Sequence, residues 1–182
     1  MRAGRLRYRG QVFSLADQLQ IQDHGHRWVD IRTKEGETPA PVGLRQRSLV
    51  EIRARATSVL CPGRYLKHGA RLFHLVSVRD PRGNGTELVV SAEELIGLPA
   101  VCTLQPGAEP VACRVFLAHG VARPGQFAGA VEYVTELEVA LVEVARPQPG
   151  AVFVVDGVSW RVAGLVEAED DRVVRRMWVK RL

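Results

Sequence analysis

Four arginines near the start of the chain are the side chains best suited to chemistry: Arg2, Arg5, Arg7 and Arg9. Positions 5, 7 and 9 alternate, so an extended strand would carry three guanidinium groups on one face. Such a face can bind phosphates or an acidic protein partner. A solvated basic edge strand that resists aggregation accounts for the same spacing equally well.

A second basic cluster closes the chain and directly follows a run of acidic residues at 167–171. The neighbouring opposite charges predict local pairing and a solvated surface. The members of this cluster are Arg172, Arg175, Arg176, Lys180 and Arg181.

Catalytic signatures are missing from the sequence. It contains no G-x-S-x-G, no P-loop, no G-x-G-x-x-G and no H-E-x-x-H. The 3 cysteines show no C-x-x-C spacing, and His24 and His26 form an H-x-H pair without a nearby cysteine. We therefore predict that the protein is not an enzyme and has no cofactor and no metal site.

Charge is unevenly distributed between the two halves. Residues 1–97 carry 16 Lys and Arg against 10 Asp and Glu, whereas residues 98–182 carry 9 against 10. The first half is therefore the basic one. No apolar run approaches the length of a membrane span, and no signal peptide follows Met1, so we expect a protein made and kept in a cytoplasm.

The two halves repeat one short β-rich pattern. The segment Val50–Leu95 can be laid over Glu136–Leu182. Each copy has an alternating strand, a Pro-Gly turn, a short strand, a second Gly turn, a long strand with one aromatic residue (Phe73, then Trp160), an acidic turn and a last strand. Such a repeat predicts two small domains in tandem rather than one enzyme core with one cleft.

The predicted fold class is all-β. Short antiparallel strands separated by Pro/Gly turns indicate two tandem β-barrel or β-sandwich domains, SH3-like or OB-like, with long loops. We place the boundary near Gly97, which gives domains 1–97 and 98–182. The aromatic residues, at strand spacing, are expected in the cores rather than on stacking platforms.

Two long loops interrupt these strands. Lys34–Leu44 contains Pro39 and Pro41, which keep it out of a β ladder, so it is expected to project. His119–Gly129 is rich in glycine and follows a predicted strand at Val111–Leu117. A long strand is predicted over Val131–Val144.

The first half combines the basic start MRAGRLRYR, Gly25 and Trp28, and the segment HGARLFHLVSVRDPRGNGTELVVSAEEL. In these features, over residues 1–95, it resembles the head–tail joining (head-closure, or stopper) proteins of tailed bacteriophages. The chain departs from that family between Ile31 and Ser48, where a Pro-rich loop replaces a longer strand-and-helix region.

The second half has a strand, an acidic segment and a turn before a G-x-x-W/Y-x-V pattern, which Gly157, Trp160 and Val162 match. In this pattern it is similar to lambda-type head–tail attachment proteins. Both resemblances imply small β-barrels that form rings of six or twelve between the portal and adaptor and the tail.

The resemblance also implies partners and sites. The partners would be portal or adaptor rings, a tail terminator or tail tube protein, further copies of this chain, and packaged double-stranded DNA in the lumen, with no membrane. The location would be the head–tail interface of the virion, after assembly in the host cytoplasm. Arg2, Arg5, Arg7 and Arg9 would contact DNA or a docking partner. Candidates for a lumen plug or a ring interface are Lys34, Glu35, Glu37, Arg45, His119, Arg123, Gln126 and Phe127.

Two other functions stay open on the sequence. One is an OB-like nucleic-acid-binding module, which would bind free DNA with a steep salt dependence. The other is a different ring protein of the virion, a tail terminator or a baseplate hub, which would share the fold class and differ in its neighbours.

Overall fold

The computed structural model describes residues 6–33, 43–124, 131–166 and 172–182. These residues contain twelve strands and a single four-residue helix. The chain folds as two compact units, Met1–Leu95 and Ile96–Leu182. Each unit is a closed antiparallel barrel of six strands, so the prediction of two tandem all-β domains is confirmed.

The first barrel consists of six strands that cover residues 8–95: β1 (Tyr8–Leu15), β2 (Ile21–Thr33), β3 (Arg45–Arg55), β4 (Tyr65–His68), β5 (Arg71–Arg79) and β6 (Glu87–Leu95). Around the barrel they follow the order β1-β2-β3-β6-β5-β4, and β4 pairs with β1 to close it. Side chains at alternate positions fill the interior, among them Val12, Ile52, Leu66 and Phe73, which are completely buried.

The second barrel consists of β7 (Leu98–Thr103), β8 (Val111–Pro124), β9 (Val131–Ala140), β10 (Val152–Val155), β11 (Val158–Leu165) and β12 (Val174–Arg181). The helix α1 (Leu141–Val144) lies between β9 and β10. The strand order is β7-β8-β9-β12-β11-β10, and β10 pairs with β7 to close the barrel. Its interior contains Leu137, Phe153 and Met177.

The two barrels have the same topology, and the pairings among β1, β4, β5 and β6 are repeated among β7, β10, β11 and β12. Leu66 lies opposite Phe73 in the first barrel, and Phe153 lies opposite Trp160 in the second, a shift of 87 residues in both cases (153 − 66 and 160 − 73). The first strands correspond as well, because Val12 pairs with Leu66 just as Cys102 pairs with Phe153. The predicted repeat is therefore confirmed, and it extends beyond the segments that the sequence overlay covered.

One irregular feature of the barrel wall is present in both barrels. The β5–β6 ladder has a bulge between Leu75 and Ser77, and the β11–β12 ladder has one between Val162 and Gly164, 87 residues later. A bulge bends and twists a strand at a defined point. The repeat thus reproduces this bend as well as the strand order. The bulges in the β1–β2, β3–β6 and β8–β9 ladders have no counterpart in the described residues of the other barrel.

The helix α1 distinguishes the second barrel and corrects the prediction of one long strand over Val131–Val144, because β9 ends at Ala140. Glu143 of α1 accepts hydrogen bonds from the backbone N–H of Arg114 at 2.8 Å and from its Nε at 2.9 Å. These charge-assisted bonds hold the helix against β8. The ladder between β9 and β12 ends just before the helix, at Ala140.

The loop predictions need two corrections. Residues 119–124 belong to β8, so the predicted loop His119–Gly129 is wrong as far as Pro124, and residues 125–130 lie outside the described part of the chain. At the other loop, Gly43 and Leu44 are buried, with Leu44 completely so. The projecting segment therefore cannot include Leu44, and residues 34–42 also lie outside the described residues.

Candidate docking surfaces

The basic start of the chain is described from Leu6 onward, so Arg2 and Arg5 lie outside the described residues. Exposure alternates after that point: Arg7 and Arg9 are exposed, and Tyr8 between them is half-buried and packs against the core. The predicted shared face is thus present for Arg7 and Arg9. Strand β1 itself begins only at Tyr8.

Trp28 lies next to Arg9 on the outside of the first barrel, because the two residues are cross-strand partners in β1 and β2. On the other side, Val29 pairs with Ala54 and this register brings the following residue, Arg55, beside Trp28. The indole is 59% exposed, although its aromatic class predicted a core position. Tryptophan and arginine are both enriched among the residues that contribute most to binding at protein interfaces.

A groove of about 570 Å³ runs beside Trp28. Its apolar lining comes from Leu6, Ala54 and Ala56, and its polar lining from His26, Arg27, Arg55 and Thr57. We call this groove, together with Trp28 and Arg9, the Trp28 surface. Among the described residues, no carboxylate forms an ion pair with Arg9, Arg27 or Arg55. The surface therefore suits an acidic partner that also carries an apolar side chain.

A two-stranded arm extends from the second barrel. Strand β9 pairs with β12 only from Thr135 onward, whereas Val131–Val134 pair with β8 alone in the described part of the chain. Val131 and Tyr133 share one face of this arm and are 60% and 75% exposed. The arm thus presents apolar side chains to solvent, which is a common property of association surfaces.

Two of the predicted plug or interface residues lie on β8: Arg123 on the arm, and His119 in the bulge between Ala118 and Val121. Nδ1 of His119 is 3.1 Å from Oγ1 of Thr135, and the His119 ring is 5.7 Å from that of Trp160. Arg123 donates two hydrogen bonds to Oε2 of Glu132, at 3.1 and 2.8 Å, and its guanidinium lies 5.8 Å from the ring of Trp178. Both side chains are therefore held on strands rather than free in a loop.

The remaining described candidate, Arg45, begins β3 and donates from Nε to Oε2 of Glu93 at 2.7 Å. Burial opposes ionisation of Glu93, but hydrogen bonds from His74 and Arg45 outweigh it and lower the pKa of that carboxyl. The other candidates lie outside the described residues: Lys34, Glu35, Glu37, Gln126 and Phe127.

The two predicted loops have equivalent positions in the two barrels. Residues 34–42 connect the second and third strands of the first barrel, and residues 125–130 connect the second and third strands of the other. Both segments are plug or interface candidates on separate sequence grounds. The two segments are therefore equivalent connections in the two copies of the repeat.

The cysteines are free thiols in two different environments. Cys102 and Cys113 are buried in the second barrel, and burial raises the pKa of Cys102 to about 11 and that of Cys113 to about 12. Cys61 is half-buried in the first barrel and donates from Sγ to the carbonyl of Ser58 at 3.0 Å. The two buried thiols should be inert as nucleophiles.

We expect a thiol reagent at pH 8 to label one cysteine rapidly in the folded protein and all three after denaturation. Cys61 provides the fast site, because the thiolate is the reactive form and the other two thiols are kept protonated. The Cys61→Ser variant should lose the fast phase. Two or more fast thiols in the native protein would contradict this assignment.

The described residues give no support for a metal site or a membrane-spanning helix. Within the described ranges, no three His, Cys, Asp or Glu side chains are grouped as a metal site would require. His24 has Ser14 as its partner, with Nε2 2.9 Å from the hydroxyl oxygen. The described residues also contain no helix that is long and apolar enough to cross a membrane.

The model of the Phage Head-Tail Attachment protein family matches residues 85–179. The match runs from the β5–β6 turn to Val179 in β12 and covers just over half of the chain. The chain belongs to this family. It is therefore a structural protein of the phage virion, and the resemblance to head–tail joining proteins, with a lambda-type second half, is confirmed. No curated protein matches the chain. That residues 1–97 form a head-closure-like domain stays a prediction.

Proposed function

We propose that this protein forms a homo-oligomeric ring in the phage neck, joins the portal or adaptor of the DNA-filled head to the tail, and helps to retain the genome. The family match over β6–β12 is the observation that carries this proposal. Its neighbours would be the portal or adaptor ring on one side and a tail terminator or tail tube protein on the other.

The closed barrels support assembly through side chains, arms and loops. The closed wall of each barrel offers no free strand edge to a neighbour, whereas the arm keeps an unpaired edge where Val131–Val134 pair with β8 alone in the described residues. Contacts must use surfaces such as the Trp28 surface and the arm that carries Val131 and Tyr133. Individually weak contacts of this kind become stable when symmetry repeats them around a ring.

Genome retention requires a group that narrows the ring lumen and tolerates DNA. The two equivalent connections, 34–42 and 125–130, are the plug candidates. Arg2, Arg5, Arg7 and Arg9 would contact phosphates of packaged DNA or an acidic ring above, since each neutralised phosphate adds salt-dependent affinity.

The proposal is tested first by the mass of the purified protein, measured by light scattering, with negative-stain images of the same sample. A ring, or a monomer that becomes a ring when mixed with portal–adaptor particles, would support the neck role. A monomer that ignores such particles would overturn it.

Replacing Lys34–Val42 by a short glycine linker should leave the barrel folded and yield leaky or tailless particles. Leu44 must be kept, because it is completely buried and its removal would damage the fold. The same replacement at residues 125–130 tests the equivalent connection of the second barrel. Circular dichroism reports folding, and particle counts with packaged-DNA assays report retention. Normal infectious particles from both variants would exclude a plug at either position.

A nucleic-acid-binding module is the second candidate function, and the row Arg9–Trp28–Arg55 is the observation that favours it. It predicts duplex binding by the isolated chain with a steep salt slope, lost when Arg2, Arg5, Arg7 and Arg9 are changed to alanine. A tail terminator or baseplate ring is distinguished by location. Labelled protein would then appear on purified tails and not on filled heads.

A further inference from the structure

Arg175 differs from the other arginines of the closing cluster, because it faces the inside of the second barrel. Its cross-strand partner is Val139, and Met177 and Val179 follow on the same face of β12. All three belong to the barrel core. The expectation of a solvated surface is therefore wrong for Arg175, whose exposure is only 8%.

The buried guanidinium of Arg175 is incompletely paired within the described part of the chain. Neither Nε nor Nη1 has a hydrogen-bond partner among the described residues. Burying an ionised group without compensation destabilises the fold, whereas burying a hydrocarbon stabilises it, and a guanidinium cannot avoid the penalty by losing its proton. The packing of the described residues therefore gives no reason for an arginine at this position.

The first barrel has an apolar residue at the position equivalent to Arg175. Leu88 is the equivalent of Arg175, 87 residues earlier (175 − 88), and its cross-strand partner is Ala54. Leu88 packs against the core of the first barrel. One copy of the repeat therefore has an apolar side chain at a position where the other has a charge.

Arg175 also lies at the rim of its barrel. The β11–β12 ladder ends with Leu165 opposite Met177, and the last backbone bond beyond it joins the Val166 N–H to the Arg176 carbonyl at 3.1 Å. Arg175 precedes Arg176 in β12 and therefore lies beyond the end of the pairing with β11. Nε and Nη1 are buried in the isolated chain, so a partner group reaches them by entering the rim, toward which a long arginine side chain can extend.

We propose that Arg175 is a binding site for a carboxylate of a neighbouring virion protein, which enters the rim of the second barrel on assembly; this inference rests on the proposed neck function. A guanidinium binds a carboxylate through two parallel hydrogen bonds. An aspartate or glutamate on a partner's chain segment can reach into a barrel rim. The phosphates of duplex DNA are fixed on a rigid rod and cannot, so the partner is an acidic protein segment.

The test is Arg175→Leu, which copies the residue of the sister barrel, with Arg161→Leu as the matched control. Arg161 is an exposed arginine on β11 of the same barrel. For the isolated chain, urea unfolding of Arg175→Leu should have a higher midpoint than wild type, because the variant removes an incompletely paired buried charge. In particles, its incorporation should fall at least about tenfold, because the partner's carboxylate loses its cation.

Each outcome decides the proposal. A lower unfolding midpoint for Arg175→Leu would mean that the chain satisfies the guanidinium itself, and wild-type incorporation would mean that no partner uses it; either result overturns the site. If wild type itself never enters particles, the neck function fails and the site fails with it. An equal loss of incorporation for Arg161→Leu would assign the effect to surface charge and also overturn it. If free duplex DNA binds wild type and not Arg175→Leu, the anion is a phosphate and the protein carboxylate is excluded.

Discussion

Changing Arg9, Trp28 and Arg55 together to alanine should lower the number of infectious particles by at least about a hundredfold while the chain stays folded. The three side chains form one row across β1, β2 and β3, next to the groove of the Trp28 surface. Buried tryptophan and arginine anchors contribute most of the energy of typical interfaces, and all three are exposed here in the isolated chain. Truncation therefore removes contacts with a partner and little of the barrel's own packing.

The matched control is the triple alanine variant of Ile21, Arg79 and Arg82. It removes one exposed large apolar side chain and two exposed arginines from the same barrel, none of which lines the groove. Complementation of a phage that lacks this chain measures infectivity, and co-sedimentation with filled heads measures docking. Equal infectivity of the two variants would show that the Trp28 surface has no special role. Loss of duplex binding without loss of docking would instead favour the nucleic-acid module.

The repeat could be predicted because each element of the pattern has a local cause. Pro62-Gly63 and Pro149-Gly150 mark the same turn, and Gly63 and Gly150 both have the positive φ that such a turn needs. Phe73 and Trp160 follow at equal distances. Alternating apolar residues then fix which face points inward. What the pattern could not supply was barrel closure, which depends on pairing between strands far apart in sequence, such as β1 with β4.

The Trp28 surface could not be predicted from the sequence, because its residues come from three strands. Arg9, Trp28 and Arg55 are brought together only by the cross-strand register. One signal was nevertheless present: Val29 and Ile31 form the apolar face of β2, so Trp28 had to share the outer face with Asp30 and Arg32. A large aromatic residue on the polar face of a strand is a better indication of an interface than the residue type alone.

The alternation of inward and outward side chains along a strand also explains the position of Arg175. In β12 the apolar residues Met177 and Val179 define the inner face, and counting back by two reaches Arg175. The acidic run before it suggested charge pairing at a surface. Periodicity in the strand outweighs neighbouring charge in deciding direction, because a strand's side chains alternate whatever their type.

Phe73→Ala should lower the free energy of unfolding by about 3–5 kcal/mol, the usual cost of truncating a fully buried phenylalanine. Phe73 is completely buried in the first barrel, and its ring also supports the Arg71 guanidinium at 4.8 Å. Arg71 in turn forms a bidentate pair with Glu94, at 2.6 and 2.7 Å. The substitution therefore leaves a cavity and removes the ring against which the Arg71 guanidinium packs.

The sister barrel provides the comparison. Trp160 has the same position in the register but is only half-buried. Trp160→Ala should cost less than Phe73→Ala although it removes more atoms, because cost follows the buried area lost and the cavity left behind. Urea unfolding measures both values, and hydrogen exchange of β4–β6 and of β10–β12 identifies the barrel that is weakened. If Trp160→Ala proved the more damaging change, the outer contact of Trp160 with His119 would be a larger source of stability than the interior of the first barrel.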